Sequence, residues 1–180
     1  MTYPDDWRDK AGRIRLLALD VDGVLTDGTL HFQSDGQETK SFNILDGLGI
    51  KLLQQNGIAV ALITGRESPM VSRRAEALGI AHVAQGREDK LAALSALCEQ
   101  LDLPLDAVAY CGDDLPDLAA IRAAGLGLSV NNAPDYIRAH SDWIPARSGG
   151  QGAVREICDA LLTCQGRWDA CLAPYLDGQG

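Results

Sequence analysis

Long apolar runs, paired cysteines and an excess of basic side chains are all missing from these 180 residues, and each absence closes off a class of function. No apolar stretch approaches the roughly 20 residues a membrane-spanning helix needs. The segment 1–15 is polar and carries both charge signs, without the apolar centre of a secretory signal, so a cytoplasmic protein with no membrane partner is expected. Lys and Arg number 16 against 25 Asp and Glu, a formal net charge of -9, which argues against nucleic acid as a partner because such binding needs clustered cations. Five cysteines (Cys98, Cys111, Cys158, Cys164, Cys171) include no CxxC pair, and their odd number points to reduced thiols that serve as small buried apolar residues. The three histidines, His31, His82 and His140, are scattered, which disfavours a His-based zinc site or a Ser-His triad.

What remains is a chain with 46% hydrophobic residues and 19 glycines, enough for one domain with a real core. That domain is expected over 1–164, with a tail over 165–180 that has little periodicity and is expected to be loosely held. Short apolar segments at 16–19, 58–63, 81–84, 107–110, 126–130 and 143–144 read as strands, and amphipathic stretches at 47–55, 69–78, 89–101, 116–124 and 153–162 read as helices. Alternation of this kind builds right-handed βαβ units, hence an α/β fold with a doubly wound, Rossmann-like parallel sheet. One insert, 28–42, breaks the pattern. It reads as a hairpin of strands 29–33 and 38–42 around Ser34-Asp35-Gly36. A lone hairpin is marginally stable in water, so it is expected to pack on its own core or on another subunit.

The first apolar run stops at Asp20-Val21-Asp22-Gly23. Both acids would then stand at the carboxyl end of a buried strand, where open α/β sheets bind ligands. Two adjacent like charges resist joint ionisation, so the pair calls for a divalent metal or a shared proton. Three further polar clusters follow strands and should reach the same edge: Thr64-Gly65-Arg66, Lys90 after Gln85-Gly86, and Gly112-Asp113-Asp114 with Asp117 one turn on.

A set of acids, a hydroxyl and an ammonium suits phosphoryl transfer from a monoester. A carboxylate nucleophile divides hydrolysis into two steps through an aspartyl phosphate, while a metal and fixed donors such as Thr64 and Lys90 neutralise the transferring oxygens. A second acid must protonate the leaving oxygen and then deprotonate the water, and Asp22 is placed for it. Oxygen-only ligands favour Mg²⁺ over Zn²⁺.

Together, Asp20-Val-Asp22-Gly-Val-Leu-Thr26, Thr64-Gly-Arg66, Lys90 and Gly112-Asp113-Asp114-x-x-Asp117 resemble the four motifs of the haloacid dehalogenase superfamily of phosphatases. The resemblance implies Asp20 as nucleophile, Asp22 as acid/base with its backbone carbonyl on Mg²⁺, Asp113 as metal ligand, Thr64 and Lys90 on the phosphate, and Asp114 and Asp117 as supporting acids. The inserts after Asp20 and Arg66 are too short for a cap domain, so the hairpin is the available lid and a homotetramer whose neighbouring subunits close the site is expected.

Finer features, Lys40-x-Phe42-Asn43-x-x-Asp46-Gly47, Ser72-Arg73-Arg74 and Gln85-Gly86-x-x-Asp89-Lys90, look like the cap-free branch that acts on sugar acid phosphates in lipopolysaccharide synthesis. By that resemblance the substrate is 3-deoxy-D-manno-octulosonate 8-phosphate, with a nine-carbon sugar acid 9-phosphate as the alternative and a phospho-receiver domain as a remoter one. Asn43, Ile44, Leu45, Asp46, Gly47, Arg66, Arg74, Lys90 and Asp22 are then the substrate-binding residues. Arginines suit a sugar acid because they grip carboxylates by paired hydrogen bonds. Gly149-Gly150-Gln151-Gly152 resembles a glycine-rich loop of the same branch, with Gln151 where many relatives carry Arg.

Overall fold

Side chains of a strand alternate between two faces, yet all four of β1 (Leu16–Leu19) are buried, so helices must cover this sheet on both sides. The computed structural model, which describes residues 3–178, bears this out. β1 is the centre of a five-stranded sheet ordered β5-β4-β1-β6-β7, with β4 at Ala59–Ile63, β5 at His82–Ala84, β6 at Val108–Gly112 and β7 at Leu126–Ser129. Every pairing in it is parallel. Two strands outside it, β2 (His31–Phe32) and β3 (Glu38–Thr39), form the antiparallel hairpin.

The long helices are α2 (Ile44–Gln55), α3 (Pro69–Leu78), α4 (Lys90–Leu101) and α7 (Ala153–Cys164), joined by shorter α1 (Trp7–Ala11), α5 (Leu118–Ala123), α6 (Asp135–Arg138) and α8 (Trp168–Leu176). α2 and α7 pack together, α3 leans on α2, and α4 pairs with α5. The expected doubly wound α/β sheet without a cap domain is therefore the architecture of this chain. All five cysteines are free, and all but Cys164 are buried.

Four expectations need adjustment. α2 begins at Ile44 rather than 47, because the Asn43 side chain accepts from Leu45 N at 2.8 Å and caps the first turn. The segment 143–144 adds no full strand: Trp143 makes a single parallel bridge to Leu128, and its indole sits tilted against the rings of Tyr3 and Trp7 at 5.5 and 5.1 Å. The hairpin has two residue pairs, His31↔Thr39 and Phe32↔Glu38, since most of it faces solvent and little burial supports a longer ladder. The tail forms the helix α8, and its first half is docked. Gln165 Nε2 donates to Ala11 O and Ile14 O at 3.0 and 2.9 Å, Arg155 lies 5.9 Å over the Trp168 ring, and Cys171 is buried, so side chains rather than periodicity dock α8.

Candidate active site

Three neighbouring strands end in polar residues on one edge. Asp20 follows β1, and its N–H continues the ladder by donating to Cys111 O at 2.9 Å. Thr64 follows β4 and donates its N–H to Ala84 O at 2.9 Å. Asp113 follows β6, and Lys90 is the first residue of α4. Asp20, Thr64 and Lys90 are all buried, so the sheet delivers its chemistry into a shielded corner.

Lys90 is the hub. Its Nζ lies 2.8 Å from Asp20 Oδ1 and 2.7 Å from Asp117 Oδ1. The Tyr110 hydroxyl donates to the same Asp117 oxygen at 2.7 Å, and the N–H groups of Asp113 and Asp114 donate to Asp117 Oδ2 at 3.2 and 3.3 Å. Both oxygens of Asp117 are thus engaged by fixed donors. Burial works against the Lys90 ammonium, but Asp20 and Asp117 outweigh it and hold its pKa above the ordinary lysine value.

The carboxylates crowd one another. Oxygens of Asp20, Asp113 and Asp117 all lie within 4.8 Å. Burial, reinforced by the charge of Asp117, pushes the Asp20 carboxyl up to about 8 and the Asp113 carboxyl up to about 6. Such repulsion is what a divalent cation relieves. With Asp117 saturated, Asp20 and Asp113 are the acids free to ligate, and an all-oxygen set fits Mg²⁺. Gly23 belongs to the same cradle: at φ +94°, a Cβ there would stand 2.0 Å from Asp113 Oδ2. Asp114 sits outside, its side chain capping Leu115 N at 2.8 Å.

Asp22 turns the other way. Its carboxylate hydrogen-bonds Lys40 of the hairpin and lies 3.9 Å from Arg66 Nε, while Arg66 Nη2 reaches Glu38 Oε2 at 2.7 Å. An open cleft of about 270 Å³ joins Asp20, Asp22, Thr64, Arg66, Lys90 and Asp113. A hollow of about 300 Å³ between β5 and α4 is as large, but it is lined mainly by alanines and other apolar residues and holds no cluster of acids.

The segment 43–47 connects rather than converges. Arg74 Nη2 donates to Asn43 O at 3.0 Å and its guanidinium lies 5.7 Å from the Phe42 ring centre, while Gly47 leaves it room. Asn43 Nδ2 donates to Gly150 O at 3.3 Å. Asp46 is buried and accepts from Arg155 N at 2.8 Å, thereby capping α7, and burial raises its carboxyl above the ordinary value. Ile44 and Leu45 are exposed, Ile44 to 81%. The glycine loop lies under the acids, with Gly150 N donating to Val24 O at 2.9 Å and Gly149 N to Asn132 Oδ1 at 2.8 Å.

Sequence reasoning passed over Tyr110, Lys40, Glu38 and Asn132 as members of this arrangement. Tyr110 left one signal: a hydroxyl inside an otherwise apolar strand must find a partner when buried.

Comparison with known proteins agrees with this geometry. Residues 79–157 match the haloacid dehalogenase-like hydrolase family. The chain is similar to 3-deoxy-D-manno-octulosonate 8-phosphate phosphatase of Escherichia coli strain K12, 46% identical over 160 residues that cover 89% of this chain and 85% of the relative. It superposes on the crystal structure of the Moraxella catarrhalis phosphatase of that name, in complex with magnesium ion, phosphate ion and KDO, with a TM-score of 0.94 and 50% identity over 96% of this chain and 99% of that one. The cobalt-bound Haemophilus influenzae phosphatase gives a TM-score of 0.87 at 41% identity, covering 89% of this chain and 94% of that one.

Proposed function

The chain belongs to the 3-deoxy-D-manno-octulosonate 8-phosphate phosphatases, within the haloacid dehalogenase-like hydrolases, and from that premise we propose how its residues divide the work. It is a Mg²⁺-dependent phosphatase that hydrolyses 3-deoxy-D-manno-octulosonate 8-phosphate to the free sugar acid and inorganic phosphate. The observation that carries the reading is the meeting of Asp20, Lys90 and Asp113 at three strand ends of one parallel sheet.

Asp20 is the nucleophile. Its carboxylate attacks phosphorus, the bond from phosphorus to the sugar oxygen breaks, and the Asp22 carboxyl gives its proton to that oxygen. Asp22 then takes a proton from water, the water oxygen attacks phosphorus, and the Asp20 carboxylate leaves as phosphate forms. Thr64 and Lys90 hold the phosphoryl oxygens through both steps. Asp20, Asp113 and the backbone of Asp22 would hold Mg²⁺, which keeps the nucleophile ionised and neutralises charge on the transferring group. Asp117 orients Lys90, and Asp114 caps the turn beside it.

Arg66, with 45% of its side chain exposed at the cleft, is the group for the sugar carboxylate, and Arg74 shapes the wall with Asn43 and Gly47. Exposed Phe32, Leu30, Ile44, Leu45 and Leu48 support a homotetramer in which neighbouring subunits cover these faces and close the cleft. No helix among the described residues is long and apolar enough to cross a membrane, and the proposed location is the cytoplasm. Phosphate release from a panel of sugar acid phosphates with Mg²⁺ tests the assignment. The eight-carbon ester should give the highest kcat/KM, and a nine-carbon ester that outperforms it would overturn the substrate. Asp20→Asn should release no phosphate above background.

A further inference from the structure

The hairpin reaches the acid loop through one buried cation. Lys40 Nζ lies between two carboxylates, hydrogen-bonded to Asp22 and 3.0 Å from Glu38 Oε1, with only 2% of its side chain exposed. Arg66 closes the far side, 2.7 Å from Glu38 Oε2 and 3.9 Å from Asp22 Oδ2. Two carboxyl groups and two basic side chains thus complete a quartet drawn from three segments: the loop after β1, the hairpin, and the loop after β4. Taking an ammonium out of water is unfavourable by several kcal/mol unless its partners hold their places, so burial of Lys40 fixes both carboxylates.

Resting on the acid/base reading of Asp22, we propose that Lys40, braced by Glu38, is a positioning residue that holds the Asp22 carboxyl toward the leaving oxygen. Lys40 keeps its own proton throughout. The proton that moves is the one on Asp22, which passes to the sugar oxygen as that oxygen departs with the electron pair of its bond to phosphorus. Docking of the hairpin and assembly of the acid/base are then one event, and the hairpin belongs to the reaction as well as to the wall of the cleft.

The test compares leaving groups. p-Nitrophenolate departs without a proton, an alkoxide does not, and kcat/KM reports the step in which either leaves. Lys40→Met, with Lys40→Gln as a second variant, is assayed on 3-deoxy-D-manno-octulosonate 8-phosphate, on a simple alkyl phosphate without a carboxylate, and on p-nitrophenyl phosphate. Because general acid catalysis contributes about 10²–10⁴-fold, loss of its alignment should lower kcat/KM about tenfold to a hundredfold on both alkyl esters and less than about threefold on p-nitrophenyl phosphate. The ratio between substrates is unaffected by the active fraction of the preparation. Equal losses on all three would reduce Lys40 to a structural role, and a loss confined to the sugar acid would make it a substrate contact. Either result overturns the proposal. Asp22→Asn is run alongside: if it shows no dependence on leaving group, the acid/base reading itself has failed.

Discussion

Replacing Gly149 by Ala should disable the enzyme without unfolding it. A Cβ at this position would lie 1.7 Å from Gly23 O and 2.6 Å from Gly23 C, with Thr26 O at 3.2 Å. Non-bonded carbon and oxygen approach to about 3.3 Å at closest, so backbone must yield by roughly 1.6 Å. Neither side yields alone. Gly150 N is bonded to Val24 O, Gly149 N to Asn132 Oδ1, and Val21 and Val24 are fully buried, so the loop moves with Asp22 upon it. Misplacement on the order of 1 Å costs about a hundredfold at a reacting geometry, and kcat should fall by about that factor. Overpacking of this kind costs about 1–3 kcal/mol, within the 5–15 kcal/mol or so by which domains are stable, so a cooperative melt should persist with Tm lowered by about 3 °C per kcal/mol. Phosphate release at saturating Mg²⁺ and circular dichroism measure the two quantities. Gly79→Ala is the control: its φ of +69° is strained for Ala, but nothing lies within 4 Å of the new Cβ, so stability should drop by about 1 kcal/mol with kcat unchanged. A Gly149→Ala enzyme with kcat within twofold of the parent would refute the argument that this loop supports the acids.

Magnesium and pH should be linked through Asp20 and Asp113. Their raised carboxyls keep protons in the folded metal-free protein that the unfolded chain has lost, so its stability should fall as pH rises from about 4 toward 8, and the rise in Tm on adding Mg²⁺ should be larger at about pH 8 than at about pH 5.5; an equal rise would contradict it. Asp46→Ala removes the side-chain cap of α7 and should destabilise by about 1–2 kcal/mol in urea titrations, against no change if the carboxylate serves only substrate. Deleting the hairpin tip 34–37 should weaken assembly or raise KM, which sizing and kinetics would refute by showing neither.

The sheet was legible because parallel strands buried on both faces read as unbroken apolar runs, and each of those runs stops at a polar cluster. That is why Asp20, Thr64, Lys90 and Asp113 could be gathered on one edge from the sequence alone. What escaped was whatever depended on side chains remote in sequence. Lys40 read as part of a motif with no task, since its pairing with Asp22 spans 18 positions and turns on hairpin geometry. Asp46 read as a substrate contact, and its helix-capping bond from Arg155 N, 109 positions away, was not legible. The tail gave no periodic signal because Gln165 and Trp168 dock it through individual contacts with α1 and α7 neighbours. Trp143-Ile144 read as a strand because the pair is apolar; one parallel bridge to Leu128 forms, and tilted contacts with Tyr3 and Trp7 hold the indole.

The carboxylates proposed as nucleophile and proton donor rest on supports of unequal local stability. Asp20 extends the innermost strand of the sheet, where opening requires global unfolding, while the clamp on Asp22 hangs from a ladder two rungs long. Mutational drift along that peninsula can therefore retune pace and sugar preference in descendants while the phosphorylation chemistry is inherited intact.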